Sequence, residues 1–177
     1  MAKYDVIQEM REEVSGKKKD EYIDLGLPSG TLWKNANEEG VYTFDEAVEK
    51  FGKSLPDVAQ FVELTRYCTW EWDDEKEEFV VEGPNGNSIF LPSEHLRPNA
   101  HVYHNGTEGY YWSNTAKDSY YAYGLGFHSD YIKPVESDNY FEPYNYIESI
   151  NYAEPDDRIG RDYGHLVRLV KSTKIEN

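Results

Sequence analysis

The sequence predicts an α+β domain, and three observations carry that prediction. Two short segments in the first half place apolar residues on one helical face behind capping-box residues. Short stretches on both sides of them alternate apolar and polar residues and are punctuated by Gly, Pro and Asn turns. The chain has 177 residues, the usual size of one domain with one sizeable core.

Residues 1–21 read as a charged leader, mobile or briefly helical, because "MREEVSGKKKDE" offers little to bury. The folded part begins at Tyr22. In "YIDLGLPSGTLW", Ile23, Leu25 and Leu27 alternate before Pro28-Ser29-Gly30 turns the chain into a second strand bearing Leu32 and Trp33, which predicts a hairpin. Thr43 with Glu46, and Gly52 as a stop, predict a helix over 43–52. Asp57 with Gln60, followed by Val58, Phe61, Leu64 and Cys68 on one face, predicts a second over 57–68.

After Cys68 the helical period disappears. "TWEWDDEKEEFVVEG" reads as two extended pieces around an acidic turn, and "GPNGNSIFLP" as a turn entering a buried strand. "GYYWSNT", "YYAYGLGF" and "GHLVRLVK" are further strands, with Tyr121, Tyr123, Leu125 and Phe127 sharing a face of the second. "YIDLGL" and "HLVRLVK" are apolar enough to be central, so the N- and C-terminal strands are expected as neighbours. The domain then spans 22–171, with a tail over 172–177.

The stretch "NYFEPYNYIESINYAEP" fits neither a core nor a disordered linker. Twelve of the sixteen tyrosines fall between Tyr103 and Tyr163, in the loop-rich half. Tyr with Asn, Ser, Gly and Asp is the composition of binding loops, since Tyr supplies rigid amphipathic contact with little rotamer entropy to lose. Long loops inside a compact domain are mostly functional.

Composition narrows the partners. The formal charge of −16 and pI near 4.6 repel phosphate backbones and anionic lipid surfaces, so neither nucleic acid nor membrane insertion is expected. No stretch approaches the roughly 20 apolar residues of a spanning helix, and the N-terminus lacks an apolar signal core. Leu, Ile, Val and Phe number only 37, about 21% of the chain, so large aromatics must supply much of the core. Cys68 stands alone, which excludes an intrachain disulfide and a thiolate zinc site; it reads as a buried helical thiol rather than a nucleophile.

Taken in order, "YIDLGLPSGTLW", "LPDVAQFVEL", "CTWEW", "GPNGNSIFLP", "GYYWSNT", "AYGLGF" and "YGHLVRLVK" resemble the Fibrobacter succinogenes major paralogous domain, over roughly residues 22–171. The resemblance implies a C-type lectin-like fold, two short helices on a small mixed, mainly antiparallel sheet with long irregular loops. It implies binding without catalysis, and a likeness to the variable proteins of diversity-generating retroelements in Bacteroides and their phages. The expected partner is a protein or carbohydrate receptor on a cell surface. The expected setting, given no signal peptide, is cytoplasmic synthesis followed by display on a phage virion or bacterial surface. Trp33, Trp70, Trp72, Trp112 and the aliphatics of "SIFLP" are assigned to scaffold.

The ligand-binding candidates are Tyr120, Tyr121, His128, Asp130, Tyr131, Asp138, Tyr140, Tyr144, Asn145, Tyr146, Asn151, Tyr152, Asp157 and Arg158. Tyrosines would give apolar contact and a hydroxyl, while Asn, Asp and Arg orient a polar ligand. No cofactor is expected. Glu154 and Asp156 are the calcium candidates, since "EPD" and "WSN" resemble lectin calcium triplets, but their chain order is reversed and a solvated turn fixed by Pro155 competes. His95, His101 and His104 with Glu94 read as surface histidines of a loop. An enzymatic alternative is a formylglycine-generating-like or acid-catalysed glycan hydrolase, with Glu71, Asp73, Glu142 or Glu148 as acids; the lone Cys68 argues against the first. Asn105-Gly106-Thr107 reads as a turn.

Overall fold

The structure is a computed structural model that describes residues 6–11, 18–93, 108–129 and 161–173. Helix α1 covers 6–11. Then follow β1 (Tyr22–Asp24), β2 (Leu32–Lys34), α2 (Phe44–Phe51), α3 (Val58–Tyr67), β3 (Thr69–Asp73), β4 (Glu78–Glu82), β5 (Ser88–Pro92), β6 (Glu108–Ala116), β7 (Ala122–His128) and β8 (Val170–Lys171).

Both helices begin where the capping residues place them. Thr43 and Glu46 exchange side-chain-to-backbone bonds, as do Asp57 and Gln60, so each first turn has its orphan N–H groups satisfied. Gly52 ends α2 at φ 49°, a backbone state that suits glycine. Cys68 caps α3 and is half-buried against the core, where burial and then the nearby Glu63 charge push its thiol up to about 12. A thiol so placed makes a poor nucleophile.

The strands form three small sheets rather than one: β1-β2-β8, β3-β4-β5 and the ribbon β6-β7. Among the described residues all strand pairings are antiparallel, and a single bridge, Tyr111 with Leu166, runs parallel. The strand neighbours differ from expectation. β8 pairs with β2 and not with β1, so Leu32-Trp33-Lys34 is central and the two terminal strands flank it. The physical reason is Trp33, fully buried on the middle strand, which both edges must cover.

The ribbon divides the core. On one face Tyr111, Leu125 and Phe127 join Ile23, Trp33, Phe61, Trp72, Phe79 and Leu91. On the other, Tyr110, Trp112 and Ala122 join Phe44, Ala47, Leu55, Val167 and Leu169. Gly126 and Gly124 lie opposite Tyr110 and Trp112, and a Cβ at Gly126 would stand 3.1 Å from the Tyr110 ring. The spacing "YGLGF" thus leaves room for aromatics on the partner strand. Leu125 and Phe127 face the core as expected, whereas Tyr121 and Tyr123 beyond them are only half-buried.

Trp112 anchors the second cluster. It is 1% exposed, meets Phe44 edge-on at 5.4 Å and His165 at 4.9 Å, and its Nε1 donates to the Tyr42 carbonyl at 2.6 Å. Replacing Trp112 with Ala is expected to cost about 3–5 kcal/mol in chemical denaturation, whereas Thr43→Ala, which removes one cap, should cost about 1 kcal/mol. Equal losses would contradict this assignment.

Candidate functional site

Of the candidate binding residues, the structure describes Tyr120, Tyr121 and the backbone of His128. Asp130, Tyr131, Asp138, Tyr140, Tyr144, Asn145, Tyr146, Asn151, Tyr152, Asp157 and Arg158 lie outside the described residues. So do the calcium candidates Glu154 and Asp156, the His95, His101 and His104 group, and Asn105-Gly106-Thr107. Of the acids considered for hydrolysis, Glu71 and Asp73 lie two apart on β3, and Asp73 pairs with Arg11.

Tyr120 is 75% exposed, the most exposed large apolar side chain among the described residues. The turn that carries it is rigidly built. Asp118 Oδ1 accepts from the amides of Tyr120 at 2.7 Å and Tyr121 at 2.8 Å, and the Tyr121 carbonyl accepts from the amides of Lys117 and Asp118. An aspartate that ties down the amides two and three residues on is the Asx pattern, which "KDSYY" contains.

Arg161 clamps the same turn from the returning chain. Its amide donates to the Tyr120 carbonyl at 2.8 Å and its Nη1 to the Asp118 carbonyl at 2.8 Å. Nη2 pairs with Asp45 at the start of α2, and the guanidinium lies 4.9 Å over the Phe44 ring. Its carbonyl accepts from the Phe44 amide. Five contacts converge on one residue. Neither Arg161 nor Asp45 was among the sequence candidates, because their pairing spans 116 positions; Asp118 was missed as well, although the Asx pattern in "KDSYY" is a local signal that could have found it.

His128 stands apart from this turn. It pairs with Glu108 at the opposite end of the ribbon, and seven residues of strand from Tyr121 amount to about 23 Å. The described neighbours of residues 130–160 therefore lie at opposite ends of β7, with Ser129 following His128 and Arg161 beside Tyr120. An open groove of about 420 Å³ adjoins the returning chain, lined by Val41, Tyr42, Glu46, Glu49 and Lys50. Tyr42 also forms an antiparallel backbone bridge with His165, and Lys50 Nζ sits 5.1 Å above the Tyr42 ring.

Among the described residues, no group of three His, Cys, Asp or Glu side chains is placed to hold a metal ion, and no helix is long and apolar enough to cross a membrane. Comparison with family models, curated proteins and solved structures finds no match for the chain.

The clamp has a measurable consequence. Arg161→Ala removes an ion pair whose Asp45 partner is largely exposed, one cation–π contact and the Nη1 bond to the Asp118 carbonyl, so it should lower global stability by only about 1–2 kcal/mol. The amides of Tyr120 and Tyr121 should nevertheless exchange with solvent markedly faster. Unchanged exchange there would show that Asp118 alone holds the turn.

Proposed function

We propose that the protein is a non-enzymatic binding module of C-type lectin-like fold that engages a protein or carbohydrate receptor through the Tyr-rich surface between Tyr120 and Tyr163. The observation that carries the reading is Tyr120 itself. A large aromatic side chain left in solvent would ordinarily be blunted by mobility, yet here two framework residues, Asp118 and Arg161, fix its backbone. Rigid presentation of Tyr lowers the ordering cost of binding.

A second support is topological. The framework is closed on both sides of residues 130–160, at the β7 end and at Arg161, so that the segment joins the fold through two fixed stems. Such a segment can change its side chains with little effect on the core, which suits a surface diversified for ligand choice, as in the variable proteins of retroelements. Display on a phage virion or cell surface follows from that reading. The reading assigns ligand contact to Tyr140, Tyr144, Tyr146 and Tyr152 with Asp138, Asn145, Asn151 and Arg158 as well as to Tyr120, without a requirement for calcium.

An array of glycans and bacterial surface proteins, probed with and without calcium, identifies the receptor class. Once a receptor is in hand, Tyr120→Ser should weaken binding severalfold while leaving unfolding within about 0.5 kcal/mol of the parent. Calcium dependence of that binding would restore Glu154 and Asp156 as ligands. Turnover of an arrayed glycan would replace the binding reading by the hydrolase alternative.

A further inference from the structure

The sheet β3-β4-β5 has an inner face of Trp72, Phe79, Val81, Ile89 and Leu91 and an outer face that the core does not use. On the outer face Val80 and Phe90 are direct cross-strand partners. Glu71, Asp73, Glu78 and Glu82 occupy the surrounding outward positions, with Asp73 directly opposite Glu78. Two carboxylates directly opposite one another on an antiparallel pair repel, and more so where burial removes water. Asp73 is 8% exposed. An apolar pair inside an acidic frame therefore calls for an apolar and cationic cover.

α1 is that cover. Ile7 is 6% exposed against Val80 and Phe90, and Met10 packs beside it one turn on. Arg11 donates through Nε and Nη2 to Asp73, pairs through Nη1 with Glu78 at 2.5 Å, and lies 4.8 Å over the Phe90 ring. Burial alone would lift the Asp73 carboxyl, but the Arg11 bonds and charge with the Lys76 and Glu75 amides hold it below the ordinary range. Glu78 moves the other way, raised by burial against the pull of Arg11. Of the leader expected to be mobile or briefly helical with little to bury, residues 6–11 are helical and bury Ile7.

We propose that the outer face of β3-β4-β5 is a docking site for a short amphipathic helix bearing two apolar residues one turn apart and an adjacent arginine, and that the N-terminal helix is its releasable occupant in cis. Three features make it releasable. The apolar contact is small, with Ile7 and Met10 its principal side chains on the helix side. The charged half rests on a single arginine, so the loss of that one side chain removes all of it. The connection to β1 is the strongly charged stretch "EEVSGKKKDE", in which Val14 is the single apolar residue. Release would present Val80 and Phe90 in an acidic surround, a surface fitted to basic amphipathic helices. The inference is independent of the Tyr-rich surface.

The test uses the full chain and a labelled peptide of residues 1–15. The double variant Ile7→Asp, Arg11→Ala should bind the peptide with a saturating anisotropy curve, while the unaltered chain, already occupied, should not. Adding Asp73→Asn and Glu78→Gln to the double variant should abolish that binding. In the single variant Arg11→Ala, the amides of residues 10 and 11 should exchange at least about tenfold faster than in the unaltered chain, while those of β4 stay protected. Amides of 6–11 already exchanging at the random-coil rate in low salt would overturn docking altogether. A concentration-dependent dimer with exchanged helices would overturn the assignment in cis.

Discussion

Arg168 holds the three small sheets to one another. Its side chain is 2% exposed, and each guanidinium nitrogen donates to a different segment. Nη1 donates to the Lys34 carbonyl on β2 at 2.9 Å, Nη2 to the Phe90 carbonyl on β5 at 2.6 Å, and Nε to Asn37 Oδ1 at 2.7 Å. Asn37 passes the connection on to the Tyr111 hydroxyl of β6, which donates to the Pro92 carbonyl. The two-stranded ribbon is at best marginal by itself. Burying the charge costs several kcal/mol and pulls the Arg168 pKa down, and charge-assisted bonds of about 1.5–3 kcal/mol each offset it. Lysine has no planar fork with which to reach three such acceptors.

The two-sided ribbon depends on that tie. β6 and β7 bury both faces because residues of the β1-β2-β8 and β3-β4-β5 sheets together cover one of them, while α2, Leu55, Val167 and Leu169 cover the other. Fixing the ribbon fixes its turn, and the turn presents Tyr120. The chain that returns at Arg161 runs on through His165 and Leu166 to Arg168, so the clamp on the turn and the tie between the sheets lie on one short segment. Rigidity at the framework is what allows a binding surface to be carried on long loops.

Local chemistry was readable and distant chemistry was not. Thr43 with Glu46, and Asp57 with Gln60, announce their helices because both partners sit within one turn. The hairpin around Pro28-Ser29-Gly30 and the acidic turn before Phe79 are equally local. The division into three sheets was missed because a strand of two to five residues does not state its partner. β8 is only Val170–Lys171, and what places it is the burial of Trp33 and the contacts of Arg168. In "GHLVRLVK" the arginine reads as a solvent-facing strand residue, since its acceptors come from positions 78 to 134 residues away. α1 was undervalued for the same reason: its worth lies in Asp73 and Glu78, which the leader sequence does not mention. Of the binding surface, only the turn motif at Asp118 could be anticipated in structural detail.

The most direct test of this account is residue-resolved hydrogen exchange on the Arg168→Lys chain. If one guanidinium ties the sheets together, the amides of β2, β5 and β6 should lose protection together, by about a hundredfold, corresponding to the roughly 3 kcal/mol expected for breaking a buried charged network. Loss of protection confined to Leu166–Val170, with β5 and β6 exchanging as in the parent, would contradict it.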